Sequence, residues 1–153
     1  LAERIFKNTG NSDCLAVYDP GGIAIRRGFP GLLPALKHTD VLLVNRDEAR
    51  VLSETGGGPL LEEVRRVVPL VIVKLGGEGA RAFKGGKEVS APAFRVRVVN
   101  TTGAGDAFNA GLCYALLNNM PLEKALSFAN AVAALRVSGL RPSPLEVSKY
   151  LKP

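Results

Sequence analysis

The sequence predicts an α/β fold: an open, mainly parallel sheet with helices on both faces. Two short runs, Val41-Leu42-Leu43-Val44 and Leu70-Val71-Ile72-Val73, are apolar at every position. A strand wetted on one face alternates, so unbroken runs of this length fit strands covered on both sides. Stretches of helical character lie between such runs, and alternation of strands and helices joined by right-handed crossovers builds a parallel sheet. Glycine-rich turns follow two predicted strands, at Lys74-Leu75-Gly76-Gly77-Glu78-Gly79 and Asn100-Thr101-Thr102-Gly103-Ala104-Gly105-Asp106. Sheets of this kind take ligands beyond the carboxyl ends of their strands.

The elements follow in order. Residues 1–8 have helical character that stops near Thr9-Gly10-Asn11. Cys14 to Tyr18 reads as a buried strand closed by Asp19-Pro20-Gly21-Gly22, and a short helix covers Gly31 to Lys37. The Val41 strand leads into a helix over Arg46–Ser53, which breaks at Gly56-Gly57-Gly58. Pro59 suits the first turn of a helix running to Val67, because its missing N–H has no partner there anyway. After the Leu70 strand, Arg81–Lys84 and Lys87–Ser90 flank Gly85-Gly86 as a hairpin. Phe94-Arg95-Val96-Arg97-Val98-Val99 alternates and reads as a further strand. A buried helix over Ala107–Leu117 ends at Asn118-Asn119-Met120-Pro121. An alanine-rich helix runs from Leu122 to about Val137, Gly139 stops it, and a last short helix finishes near Leu151.

The 153 residues amount to one domain, residues 1–153, with no internal repeat or linker. A hydrophobic share of 46% and a charged share of 22% are ordinary for a globular chain and argue against disorder. No run of 18 apolar residues exists, so no membrane-spanning helix is expected. The chain starts at Leu1 without Met or a signal-peptide layout, and the expectation is that it begins inside a longer, cytoplasmic protein. Cys14 and Cys113 form no CxxC pair and read as reduced thiols. His38 has no Cys or His near it and reads as a plain loop residue rather than a ligand. The net charge of +6 raises nucleic-acid binding, but the arginines are scattered and Trp is absent. A basic surface suited to small anionic substrates fits better than a nucleic-acid interface.

Asn100–Asp106 carries most of the chemical information. Glycines let a backbone approach an anion closely, and the unpaired N–H groups and dipole of a helix N-terminus attract it. A carboxylate in that turn repels phosphate, so Asp106 needs another purpose. One is to take a proton from a hydroxyl that attacks the phosphorus. The plainer reading is an N-cap in a tight turn. It is not a Walker A loop, since no Lys-Ser/Thr follows, and the third glycine of a dinucleotide fingerprint is misplaced. Asn45 and Glu48 stand three apart at a strand-to-helix junction, where they either support Mg²⁺ and its water or simply cap the helix. Lys74–Gly79 either lets a nucleotide lie on exposed backbone or is a simple turn. Asn130, polar within a helix of small residues, either bonds a ligand or satisfies a neighbouring loop.

Together these residues resemble the ribokinase-like, or PfkB-type, carbohydrate kinases. That family's signature is D-T-x-G-A-G-D, and Asn100–Asp106 matches six of its seven letters, counting the wildcard. Asn45 and Glu48 match its Asn-x-x-Glu pair, and Leu75-Gly76-x-x-Gly79 and Asn130 follow in the family's order and spacing. The resemblance implies phosphorylation of a hydroxymethyl group on a small sugar or nucleoside by Mg²⁺ and ATP. It makes Asp106 the base and the N–H groups of Gly103, Ala104 and Gly105 an anion hole, each donor contributing about 3 kcal/mol at most. It assigns Mg²⁺ to Glu48 with Asn45, and the nucleotide to Lys74, Leu75, Gly76, Gly79 and Thr102, with Asn130 on the adenine side.

Three departures qualify the resemblance. Asn100 replaces the first Asp of the signature, a cation ligand in relatives activated by K⁺, and a neutral side chain implies weaker K⁺ binding; Gly139 and Ser143 still match the facing loop. Asp19–Gly22 lacks the family's Asp-x-Asn-x-Arg, for which Arg26 or Arg27 is the available substitute. Family members are also much longer, and the part not matched here carries the Gly-Gly motif, the sugar-contacting acid and a β-sheet lid. The expectation is therefore a nucleotide-binding C-terminal portion with an exposed sheet edge, completed by its N-terminal half or by homo-oligomerisation. Two rival readings are an ADP-dependent sugar kinase and a nucleotide-binding module without turnover.

Overall fold

A computed structural model describes residues 14–56 and 61–150. The helix expected over residues 1–8, the break at Gly57-Gly58 and the helix start at Pro59 lie outside the described residues.

Five strands form one open, mostly parallel sheet in the sequential order β1 to β5: β1 (Val17–Tyr18), β2 (Val41–Asn45), β3 (Leu70–Lys74), β4 (Ala80–Lys84) and β5 (Lys87–Ala91). The helices are α1 (Gly21–Ile25), α2 (Gly28–Leu36), α3 (Arg46–Gly56), α4 (Glu62–Val67), α5 (Ala104–Leu117), α6 (Leu122–Val137) and α7 (Pro144–Tyr150). The chain divides into two compact units, Leu1–Val73 with Phe83–Glu88, and Lys74–Ala82 with Val89–Pro153.

In the first unit, β1 runs parallel to β2, with Val17 opposite Val41 and Tyr18 opposite Leu42. The Asp40 carboxylate fixes this register by accepting from the Ala16 N–H at 2.8 Å. Both predicted apolar runs are strand interiors: Val41–Val44 and Leu70–Val73 are buried at every position. Leu36, Leu52 and Val64 join them in the core, each at 1% exposure or less. Helix α2 starts three residues before its predicted start. Gly28 adopts a left-handed φ of +65°, and the next N–H, on Phe29, donates to Thr55 Oγ1 at 2.9 Å. The expected Cys14–Tyr18 strand shrinks to two residues, and Gly21-Gly22, expected to close it, open α1 instead.

The predicted hairpin is present. Gly85 and Gly86 both take positive φ, +55° and +78°, the two-residue turn whose twist matches that of β4 and β5. In the second unit, α5 and α6 pack at close range. A Cβ on Gly111 would stand 2.9 Å from Val132 Cγ2 and 3.1 Å from Ala129 Cα, so the absence of a side chain sets the approach. Helix α6 spans the predicted residues and ends at Gly139, whose φ is +76°.

One expectation is overturned. Phe94–Val99 belongs to no strand. A strand needs a neighbour to accept its ladder, and at the end of the run the chain turns to α6: the N–H groups of Val99 and of the following Asn100 both donate to the Val137 carbonyl, at 2.8 and 3.1 Å. Val98 and Val99 remain 62% and 65% exposed. A smaller correction concerns α5, which begins at Ala104 rather than Ala107, so Asp106 lies inside its first turn.

Candidate functional site

The second unit encloses a cavity of about 460 Å³. Three pieces of chain shape it: the turn after β3, the irregular segment after β5, and the facing ends of α5 and α6.

The first piece starts at Lys74, the last residue of β3. Leu75 follows, then a single 3-10 turn over Gly76–Glu78, and the Leu75 N–H donates back to the Gly79 carbonyl at 2.8 Å. Gly79 has φ +99° and is buried. A Cβ there would lie 2.7 Å from the Ala93 nitrogen and also strike the Ala91 carbonyl, so only glycine fits. Gly76 and Gly77 are exposed, and no heavy atom beyond their chain neighbours stands within 4 Å of a Cβ built on either. Lys74, Gly76 and Gly79 all line the cavity, whereas Leu75 does not.

The second piece is the segment expected as a strand. Ala93, Phe94, Val96 and Val98 form a largely apolar wall. Asn130 holds the approach to it. Both protons of its Nδ2 are engaged, on the carbonyls of Ala91 (3.0 Å) and Pro92 (3.1 Å), and the residue is 6% exposed. Of the two readings left open for Asn130, the amide meets the loop-satisfying one, and the residue also lines the cavity. Phe94 packs edge-on against Tyr150, with ring centroids 5.1 Å apart, which fixes the wall from outside.

The third piece is the start of α5. Gly103 is its N-cap at φ +77°, and its carbonyl accepts the first helical bond, from the Ala107 N–H at 3.0 Å. The Ala104 N–H is committed to the Thr101 carbonyl at 3.1 Å. Among the described residues the N–H groups of Gly103, Gly105 and Asp106 have no such acceptor, so of the three expected anion-hole donors Gly103 and Gly105 are open and Ala104 is not. Thr101, Ala104 and Gly105 line the cavity, and Thr102, Gly103 and Asp106 do not. Asp106 is exposed and forms no ion pair with any described residue. Asn100 accepts at its Oδ1 from the Thr102 N–H at 2.8 Å, which steadies the turn.

Lys74 meets this turn as well. Its Nζ donates to Asn109 Oδ1 at 3.2 Å and lies 3.7 Å from where a Cβ on Gly105 would be. A cation therefore stands beside the open N–H of Gly105.

Asn45 and Glu48 belong to the first unit. They form a reciprocal cap on α3: the Asn45 N–H donates to Glu48 Oε2 at 2.8 Å, and the Glu48 N–H donates to Asn45 Oδ1 at 2.9 Å. Glu48 is 7% exposed, and its Oε1 has no protein partner among the described residues. No group of three or more His, Cys, Asp or Glu side chains able to hold a metal occurs among the described residues. No helix there is long and apolar enough to cross a membrane. Burial raises the pKa of the Cys113 thiol, which keeps it protonated and a poor nucleophile. Tyr18 is pushed up by burial too, with Arg27 opposing the shift.

Residues 93–98 and Ala133, Ala134 and Val137 of α6 were not singled out from the sequence as site residues. Nothing local marks them, because their role is to be the wall opposite a turn formed elsewhere in the chain.

Comparison with known proteins bears on the family. A family model described as pfkB family carbohydrate kinase matches residues 2–144. An uncharacterised sugar kinase of Archaeoglobus fulgidus is 38% identical over 118 residues, covering 76% of this chain and 47% of the relative. The nucleoside kinase of Methanocaldococcus jannaschii superposes with a TM-score of 0.87 at 24% identity, over 97% of this chain and 51% of that one. Arabidopsis thaliana ribokinase, solved with ribose and ATP, superposes with a TM-score of 0.83 at 28% identity, over 99% of this chain and 52% of that one. The chain thus spans about half the length of the relatives it matches.

Proposed function

The chain belongs to the pfkB family of carbohydrate kinases, and from that premise we propose that it supplies the nucleotide-binding portion of an ATP-dependent kinase acting on a hydroxymethyl group of a small sugar or nucleoside. The observation that carries the reading is the start of α5. Open N–H donors of Gly103 and Gly105 sit at a helix N-terminus, with Gly105 on the wall of a 460 Å³ cavity and the exposed Asp106 one residue further on.

The cavity is large enough for a nucleoside, since ligand pockets run from about 300 to 1,000 Å³. Its apolar wall of Phe94, Val96 and Val98 suits a flat base, and the exposed backbone of Gly76 and Gly77 allows close approach. The polyphosphate would lie toward Lys74 and the Gly103–Gly105 turn. A protonated amine and two oriented N–H groups there oppose the charge that gathers on the transferring phosphoryl group. Thr102 would order the turn through its backbone bond to Asn100.

Asp106 would act on the acceptor. A carboxylate beside a phosphate site weakens mere binding, so its presence is explained by proton transfer: it holds the hydroxyl by a hydrogen bond and receives its proton as the oxygen attacks. Asp106 does not line the cavity, which keeps it apart from the space assigned to the base of the nucleotide.

For Mg²⁺ the first unit offers Asn45 and Glu48. Glu48 retains an oxygen free of protein partners, and Mg²⁺ commonly takes one or two carboxylates and keeps several waters, so the pair fits a water-mediated role. K⁺ would bind more weakly than in relatives with Asp at this place, because Asn100 is neutral.

The test is ADP release over a panel of sugars and nucleosides, with Asp106→Asn beside the native protein and ADP offered as an alternative donor. The expected result is turnover with ATP that falls by about 10² to 10⁴ in the variant, while ATP affinity holds or rises. Undiminished turnover in Asp106→Asn would remove the proton-transfer role. Nucleotide binding without turnover on any acceptor would mark either the donor portion without its acceptor half or a binding module.

A further inference from the structure

Arg136 occupies the last turn of α6, where a cation ordinarily serves the negative end of the helix dipole. The bonding at that end leaves little for it to do. The Ala134 carbonyl accepts from Ser138, Leu135 from Leu140, Arg136 from Gly139, and Val137 from Val99 and Asn100. All four terminal carbonyls are thus taken by backbone N–H groups. No carboxylate among the described residues pairs with the guanidinium.

The guanidinium lies instead against Gly103. Its Nε is 3.4 Å, and its Nη2 3.6 Å, from where a Cβ on that residue would be. Gly103 is the N-cap of α5, so a positive group is held beside the positive end of a second helix. Lys74 Nζ stands 3.7 Å from the corresponding point on Gly105, two residues along the same turn. Asp106, the carboxylate of this turn, forms no ion pair with Arg136. Cations and a helix N-terminus repel one another, and an arrangement of this kind is relieved when an anion of more than one charge joins it.

We propose that Arg136 is a phosphate-binding residue of the same site, reaching the polyphosphate from α6 while Lys74 reaches it from β3, and that it sets the preference for a nucleoside triphosphate over a diphosphate or a bare nucleoside. The proposal rests on the functional reading above. Its planar fork suits two phosphate oxygens at once, and glycine at position 103 leaves the room for it to lie on the turn.

The experiment is calorimetric titration of the natural-length protein with Mg·ATP, Mg·ADP and adenosine, for the native sequence, Arg136→Gln and Arg136→Lys, with thermal melting of each. Arg136→Gln is expected to weaken ATP by about ten- to a hundredfold, the worth of a charge-assisted hydrogen bond, and to leave adenosine unchanged. Arg136→Lys keeps the charge without the fork and should lose several-fold for ATP only; it carries the test alone if the glutamine variant does not fold. Equal losses for ATP and adenosine mean that Arg136 only props the turn, and undiminished ATP affinity means that it does not reach the phosphates; either result overturns the proposal. If the native protein itself binds ATP no better than adenosine, the phosphate-site reading fails and takes this one with it.

Discussion

Lys74 Nζ donates to Asn109 Oδ1 across 3.2 Å, joining the end of β3 to the second turn of α5. The two residues are 35 apart in sequence. Asn109 lies one helical turn beyond Gly105, so the bond steers the amine along the helix face toward the open donors of the turn.

Lys74→Met keeps the aliphatic stem and removes the charge. Calorimetry should show ATP binding weakened by about tenfold or more, with the melting temperature nearly unchanged. Asn109→Ala removes this bond and keeps the amine, and should cost less. A larger loss from Asn109→Ala than from Lys74→Met would contradict this ordering.

Gly79 has no room for a side chain and an unfavourable φ for any other residue. Gly79→Ala should destabilise the protein by about 2 kcal/mol or more, from strain and the clash with Ala91 and Ala93 combined. Urea unfolding measures it, and a midpoint shift within error would show that the turn relaxes freely.

Asn130→Leu is close in volume but leaves the Ala91 and Pro92 carbonyls without their donor. The Ala91 carbonyl is the buried one, and an orphaned buried acceptor costs about 1–3 kcal/mol, so the stability loss should be clear in a chemical melt. Nucleotide affinity should fall with it, because the segment after β5 is a wall of the cavity. Loss of affinity with full stability would instead mean that Asn130 meets the ligand directly.

Cys113 and Cys14 should react differently with iodoacetamide. Burial lifts the Cys113 pKa, so near pH 8 it holds less thiolate than an ordinary cysteine, and its alkylation should accelerate only at higher pH. Cys14 is exposed and should react first. Mass mapping of early adducts decides the order; Cys113 modified ahead of Cys14 would refute it.

Much of the fold is legible in local pattern. Val41–Val44 and Leu70–Val73 declared themselves as covered strands, and Leu122–Val137 declared itself as a helix, because periodicity along a few residues reports which faces are buried. The turn at Gly103–Asp106 was legible for a related reason: an N-cap at φ +77° favours glycine, and that demand is met locally.

Phe94–Val99 shows the limit. Its alternation satisfies the strand pattern, yet a strand exists only where a neighbour accepts its hydrogen bonds, and the Val99 N–H at its end closes α6 instead. Asn130 was ambiguous in sequence because its partners lie 38 and 39 residues away. Arg136 drew no notice, being one arginine among scattered ones until the fold set it on Gly103. The sequence by itself determined the order and type of most elements and the glycine turns, since backbone preference and burial period act over neighbouring residues. Only the tertiary structure decided which segment walls the cavity and which cations meet the turn, since those depend on partners brought together from distant parts of the chain.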